Sequence, residues 1–318
     1  MSPSSPSRPT SAAAFEHGYA VVIGVAGYRA RALSPLPLPA LNDAVDLARS
    51  LWDPEICGYR ADRVRLLLDE QATADGIRQA LAWMSEETYK DGKEATAIAF
   101  FSGHGWRDES GTYLAAYDAD TDTPLAGMIS GDELATRLQA IGAGRLAVFL
   151  DCCHAGGAGE IRAAKRGHGA LGSTVASDLY ERTYQRLSKG YGRVLIASSG
   201  PDEESTILPD QRNSLFTSCL LRGLAGEAKG TDPAALGIFD LYQFASAEVQ
   251  RLSLFRQTPL FKGQLQDNFA VALRREEPPR HKIEPPPRGR SAPAADQQVT
   301  NISGRDFDNL TVNNNITQ

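Results

Sequence analysis

Two apolar runs in this chain end abruptly in residues able to do nucleophilic chemistry. The first, Ala97-Ile-Ala-Phe-Phe, opens into Ser-Gly-His-Gly105 and delivers His104; the second, Leu146-Ala-Val-Phe-Leu, opens into Asp-Cys-Cys-His-Ala-Gly156 and delivers Cys153. A thiol hydrolase needs a thiolate, a group that returns a proton to the leaving amine, and donors aimed at the developing oxyanion. Cys153 fits the first role, His104 the second, and the backbone N–H groups of Gly105 and Cys153 the third. Gly103 and Gly105 flank the histidine and, lacking Cβ, would let a substrate backbone come close. The pattern points to a cysteine hydrolase.

Such residues meet when parallel strands bring them to one edge of a sheet. Tyr19–Val25, Ala97–Phe101, Leu146–Leu150 and Val194–Ala197 are short, continuously apolar and bounded by Gly, Ser or Asp, as doubly buried strands are. Helical spacing separates them. Ala40–Trp52 places Leu41, Val45, Ala48 and Trp52 on one face, and Thr73–Tyr89 does the same with Ile77, Leu81 and Met84. Ser130 and Glu133 form a capping-box pattern ahead of Leu134, Leu138 and Ile141. Further helices are expected over Phe216–Leu224 and Asp240–Leu252, and a last strand over Asn268–Leu273. Strands alternating with helices predict an open α/β sheet of three layers, mainly parallel, with about six strands.

The 318 residues carry a net charge of −6 at a pI near 5.5. That balance gives no global attraction to nucleic acid or anionic lipid, so neither partner is expected. Residues 1–17 read as a disordered segment without the apolar stretch of a secretion signal, and no 18-residue apolar run occurs. A cytoplasmic protein is the expectation, and the four cysteines, at 57, 152, 153 and 219, are too few and uneven for a disulfide framework. Residues 18–275 then form the folded domain, with a large part over 18–158, an exposed connection over 159–192 and a small part over 193–275. A Pro-rich stiff linker occupies 276–298. In the last segment, 299–318, Leu310, Val312, Asn314 and Ile316 alternate with Asn and Thr, as in strands that stack into cross-β assemblies; a disordered tail is the plainer alternative.

Ser-Gly-His-Gly at 102–105, Asp-Cys-Cys-His-Ala-Gly at 151–156, and a histidine about 50 residues ahead of the cysteine together resemble the caspase-like peptidases, in particular the bacterial and metacaspase branch. The resemblance runs from about Tyr19 to Leu273. It includes Leu41-Asn-Asp-Ala44, Ser214-Leu-Phe-Thr-Ser218 and Gln257-Thr-Pro259. It implies the three-layer caspase–hemoglobinase fold and selects Cys153 over Cys152 as the nucleophile. Strand alternation agrees, turning Cys152 and His154 away from the cleft. Cys57, Cys219 and His17 read as packing or surface residues, and a zinc site from Cys152, Cys153 and His154 would need three consecutive residues to converge on one ion.

In metacaspases the pocket for the side chain before the cut bond is formed by residues matching Asp43, Ser102 and Asp151. Animal caspases carry a glutamine where this chain has Asp151. Two carboxylates in a narrow cleft favour Arg or Lys, so cleavage after basic residues is expected. The structural alternative is that Asp43 caps its helix and Asp151 holds local backbone N–H groups. Calcium-dependent relatives carry paired aspartates where this chain has Gly131-Asp132. One expected carboxylate is therefore absent, though Asp118, Asp120 and Asp122 nearby could compensate; no cofactor is expected, and calcium activation stays open without support.

Lys165, Arg166, Arg182, Arg186 and Lys189 lie in the connection and match the expected specificity, which makes them candidate sites of self-cleavage. By analogy with bacterial death and antiviral defence systems, the tail over 299–318 would recruit a sensor or adaptor, or gather copies of the chain. Two other function classes stay open from sequence: a catalytically silent scaffold working through its tail, and another thiol hydrolase on the same fold. For His104 the plain reading is a core histidine satisfied by a backbone carbonyl.

Overall fold

The computed structural model describes residues 15–31, 33–108, 111–120, 126–152, 183, 185, 192–200, 203, 205–208, 211–265 and 267–273. Cys153, His154, Asp122, all five candidate self-cleavage residues, the Pro-rich linker and the 299–318 tail lie outside that set.

A six-stranded sheet organises the chain, in the order β10-β8-β7-β3-β1-β2. β1 (Gly18–Gly24), β2 (Val64–Leu68), β3 (Thr96–Gly103), β7 (Arg145–Cys152) and β8 (Arg193–Ala197) run parallel, and β10 (Leu260–Gln264) closes one edge antiparallel to β8. The four apolar runs read from the sequence are the four inner strands, because a strand covered on both faces carries no polar alternation.

The two edge strands escaped that reading for the complementary reason. β2 interrupts its apolar run with exposed Arg65, whose guanidinium lies 4.2 Å from the centre of the Trp83 ring, and β10 is only partly covered. The expected final strand forms as β11 (Ala270–Leu273), but it pairs with β9 (Ala235–Gly237) in a separate two-stranded sheet. A third sheet, β4 (Gly105–Asp108), β5 (Gly111–Ala115) and β6 (Met128–Ser130), grows directly from the end of β3.

Helices cover both faces of the large sheet. On one side lie α1 (Pro39–Trp52), α4 (Leu215–Arg222) and α5 (Ile238–Leu252), whose Val45, Leu51, Phe216, Leu220 and Leu241 pack with Val22, Phe100 and Phe149 of the strands. On the other lie α2 (Ala74–Asp91) and α3 (Gly131–Gln139), whose Ile77, Met84, Leu134 and Leu138 pack with Val21, Phe101 and Val148. The expected three layers are therefore present. Thr73 caps α2 through Gly76 N–H at 3.1 Å, and Ser130 caps α3 through Glu133 N–H at 3.1 Å. Only half of the expected capping box forms: the Glu133 carboxylate is taken by Arg78 at 2.7 Å and by Arg137 at 2.8 Å.

Two boundaries need correction. Residues 15–17 were assigned to the disordered N-terminal segment, yet Phe15 bridges to Tyr59 and stacks on its ring at 4.9 Å. Its aromatic side chain gives it a place in the fold that the preceding Ser, Pro and Ala lack. Inside the connection assigned as exposed, Thr183 is helical and fully buried. Among the described residues no helix is long and apolar enough to cross a membrane.

His17 joins a surface cluster on Asp91 at the end of α2. The Asp91 carboxylate accepts from His17 Nδ1 at 3.0 Å, Tyr19 Oη at 2.7 Å and Arg63 at 2.9 Å, and these donors hold its carboxyl down at about 2. A depressed folded-state value stabilises the fold above the unfolded carboxyl range and is lost as pH falls through the folded value. Asp91→Asn is therefore expected to cost about 1 kcal/mol near pH 6. The difference in melting temperature from wild type should begin to shrink below about pH 4 and be lost only as the pH falls through about 2.

Candidate active site

β3 and β7 pair in parallel from Thr96↔Arg145 through Ser102↔Asp151 to Gly103↔Cys152. His104 thus directly follows β3 at the sheet edge where β7 ends in Cys152; Cys153, the next residue in the sequence, lies outside the described residues. Cys152 is 2% exposed, packed among Val148, Leu150 and Phe101, and its burial pushes the thiol up to about 12. It behaves as the buried small apolar residue that alternation predicts.

His104 is 4% exposed and held from three sides. Its Nε2 lies 2.9 Å from the Ser34 carbonyl, its backbone N–H donates to Tyr28 Oη at 2.7 Å, and the Tyr28 ring stacks on the imidazole with centroids 5.0 Å apart. A carbonyl only accepts, so Nε2 carries a proton and donates it to Ser34. The plain reading of His104, a histidine satisfied by a carbonyl, thus describes one of its two nitrogens. Tyr28 and Ser34 belong to the loop after β1 and escaped the sequence reading. No spacing signal ties them to His104, since the contact is made across 70 residues or more.

The glycines divide their roles. Ala115 N–H donates to the His104 carbonyl at 3.0 Å, which makes Gly105 opposite Leu114 a non-hydrogen-bonded pair with its N–H directed away from β5. At Gly103 a Cβ would sit 2.8 Å from Phe101 Cζ and 3.3 Å from Tyr28 Oη. Packing thus demands a glycine there, in addition to any need for substrate approach. Gly103→Ala is expected to lower unfolding stability by about 1–3 kcal/mol in denaturant titration, the usual cost of overfilling a packed site.

Asp43, Ser102 and Asp151 converge as the resemblance implied, on the face of the sheet covered by α1 and α4. All three are 0% exposed. Asp151 accepts three hydroxyls: Ser205 at 2.8 Å, Ser214 at 2.5 Å and Thr217 at 3.0 Å. Asp43 accepts Ser214 N–H at 2.9 Å and faces Ser102 Oγ at 3.4 Å. Burial pushes the Asp43 carboxyl well above the usual carboxylate range, and the nearby Asp151 carboxylate adds to the shift.

The structural alternative for this pair does not hold. α1 has Leu38 at its N-cap and no side-chain cap, and Asp43 instead reaches across to the N-terminus of α4. Asp151 takes side-chain hydroxyls from distant segments, not local N–H groups. Among the described residues neither carboxylate forms an ion pair, whereas Asp46 one turn further along α1 binds Arg212 at 2.6 Å. Ser205, Ser214 and Thr217 join this cluster without a local signal in the sequence; the motif Ser214–Ser218 carries two of them but not their partner Asp151.

Of the carboxylates considered for calcium, Asp118 accepts Ala74 N–H at the start of α2, 2.8 Å away. Among the described residues no group of three His, Cys, Asp or Glu side chains is arranged to hold a metal ion.

The family model described as the caspase domain, Peptidase_C14, matches residues 17–270. The chain belongs to this caspase-domain family. Its solved structural neighbours include caspase-1 from Spodoptera frugiperda, with a TM-score of 0.50 at 14% identity, covering 87% of this chain and 98% of that one. Another is the protein GSU0716 from Geobacter sulfurreducens, with a TM-score of 0.53 at 20% identity, covering 81% of this chain and 97% of that one. At these identities the likeness is one of fold. Among curated proteins no match was found. The domain match shows membership in a cysteine-peptidase family, and the two solved neighbours share the caspase-like fold.

Proposed function

We propose that this caspase-domain protein is a cysteine endopeptidase in which Cys153 attacks the scissile carbonyl and His104 returns a proton to the leaving amine. One observation supports the reading: β3 and β7 end side by side at Gly103 and Cys152, the residues that precede His104 and Cys153 in the sequence. The Gly105 N–H, directed away from its own hairpin partner, supports an oxyanion contact, with the Cys153 N–H as the second donor. Two buried carboxylates that have no cationic partner among the described residues favour a guanidinium or ammonium before the cut bond, and Asp43, Ser102 and Asp151 are the groups that would receive it. The hydroxyls of Ser205, Ser214 and Thr217 would have to yield for that cation to enter.

The wider role is proposed on the same footing. The basic residues Lys165, Arg166, Arg182, Arg186 and Lys189 suit self-processing, and the 299–318 segment suits recruitment by a sensor or adaptor or assembly with copies of itself. A cytoplasmic defence or programmed-death setting would fit such a protease. The test is cleavage of fluorogenic peptides ending in Arg or Lys beside peptides ending in Asp, with Cys153→Ala as the control. Turnover after Asp with none after Arg or Lys would remove the pocket assignment. A Cys153→Ala protein nicked as wild type during purification would remove self-processing.

A further inference from the structure

We propose that Asp69, remote in sequence from both reacting residues, is a positioning residue for His104; this rests on the reading of His104 as the proton donor. The loop after β1 supplies contacts that orient His104: the Tyr28 ring and hydroxyl and the Ser34 carbonyl. A loop holds a side chain only as firmly as it is itself held.

The anchor is the short turn that follows β2. Asp69 Oδ1 accepts the N–H of Ala26 at 2.8 Å and of Gly27 at 3.0 Å, the two residues just before Tyr28. The residue just after, Arg29, donates its N–H to the Tyr117 carbonyl at 2.9 Å, and Tyr117 N–H donates back to Ala72 of the same turn at 2.9 Å. Tyr28 is thereby bracketed on both sides by residues tied to one turn. Leu36 N–H on the Ala26 carbonyl, at 2.8 Å, closes the loop that contains Ser34. Asp69 itself has φ 37°, a left-handed conformation uncommon outside glycine that persists only where the surroundings impose it.

Asp69→Ala removes the acceptor and leaves two loop N–H groups without their partner; Asp69→Asn keeps an oxygen in the same place. In the full chain, Asp69→Ala is expected to lower kcat on an Arg peptide about tenfold with KM little changed, and to shift the pH profile of kcat, because misplacing a proton-transfer group acts on the chemical step. Asn should restore both. Independently of turnover, ¹⁵N-histidine spectra of the Cys153→Ala protein should show His104 as a single Nε2–H tautomer, assigned by its loss in His104→Gln among the five histidines. With Asp69→Ala that signal should become a tautomer mixture.

Should Asp69→Ala fail to fold, Tyr28→Phe cuts the last link of the same chain and must move the same signal. Unchanged His104 spectra and pH profile in Asp69→Ala, unchanged spectra in Tyr28→Phe, or an Asn variant no better than Ala would each overturn the proposal. Full activity in His104→Gln would instead overturn the proton-donor reading beneath it.

Discussion

Cys153→Ala is expected to reduce peptide cleavage by a factor on the order of 10⁴ or more, because a methyl group cannot form the covalent intermediate on which the other groups act. Cys152→Ala, one residue earlier, is expected to leave kcat/KM within about twofold, since only a thiolate is nucleophilic and burial keeps the Cys152 thiol protonated up to about 12. The adjacent pair gives an internal control: a structural effect of shrinking a cysteine at this strand end would appear in both variants. Steady-state cleavage of an Arg peptide, read alongside thermal denaturation, separates the outcomes. Equal loss in both variants would point to damage at the end of β7. Undiminished cleavage in Cys153→Ala would place the nucleophile elsewhere, and absence of cleavage by wild type would return the protein to the class of silent scaffolds.

Neutralising the buried carboxylates should have the next largest effect, and one that depends on the substrate. Asp151→Asn is expected to lower kcat/KM for Arg and Lys peptides by about 10²-fold or more, the scale of removing one partner from a buried charge pair. Stability should also fall, because three hydroxyls, from Ser205, Ser214 and Thr217, point at that carboxylate. Asp43→Asn is the cleaner probe. Burial and the neighbouring carboxylate hold the Asp43 proton on well above the usual range, so the hollow carries fewer negative charges than its composition implies until that proton leaves. For a carboxyl with a raised value the charged form appears only as pH rises. Wild-type kcat/KM for Arg peptides should therefore gain a rising limb that Asp43→Asn lacks, measured as the ratio of the two profiles across pH. A constant ratio would show that Asp43 does not charge on binding substrate.

The legible parts of this protein are those in which a local pattern carries the constraint. Val148, Phe149 and Leu150 announce an inner strand because both faces are covered, and Ser130 announces α3 because a hydroxyl finds an N–H three residues on. Asp43, Ser102 and Asp151 were singled out through the resemblance of their motifs, and the fold brings them together. What could not be read was edge and loop structure. Val64–Leu68 is a strand because β1 pairs with it, although Arg65 breaks its apolar run. Phe15 belongs to the fold because Tyr59 is there to receive its ring.

The sequence by itself determined the chemistry on offer: a thiol and an imidazole, each released from the end of an apolar run, and carboxylates two residues before one and in the first helix. Local patterns specify such things because side-chain type and strand alternation are properties of neighbours along the chain. Tertiary structure alone decided the state of those groups. It set a proton on the imidazole Nε2 through a carbonyl 70 positions away, enclosed Asp151 among hydroxyls from two distant segments, and tied the loop that holds His104 to the turn at Asp69. Hydrogen bonding and desolvation depend on what surrounds a group in space, and no spacing along the chain encodes that.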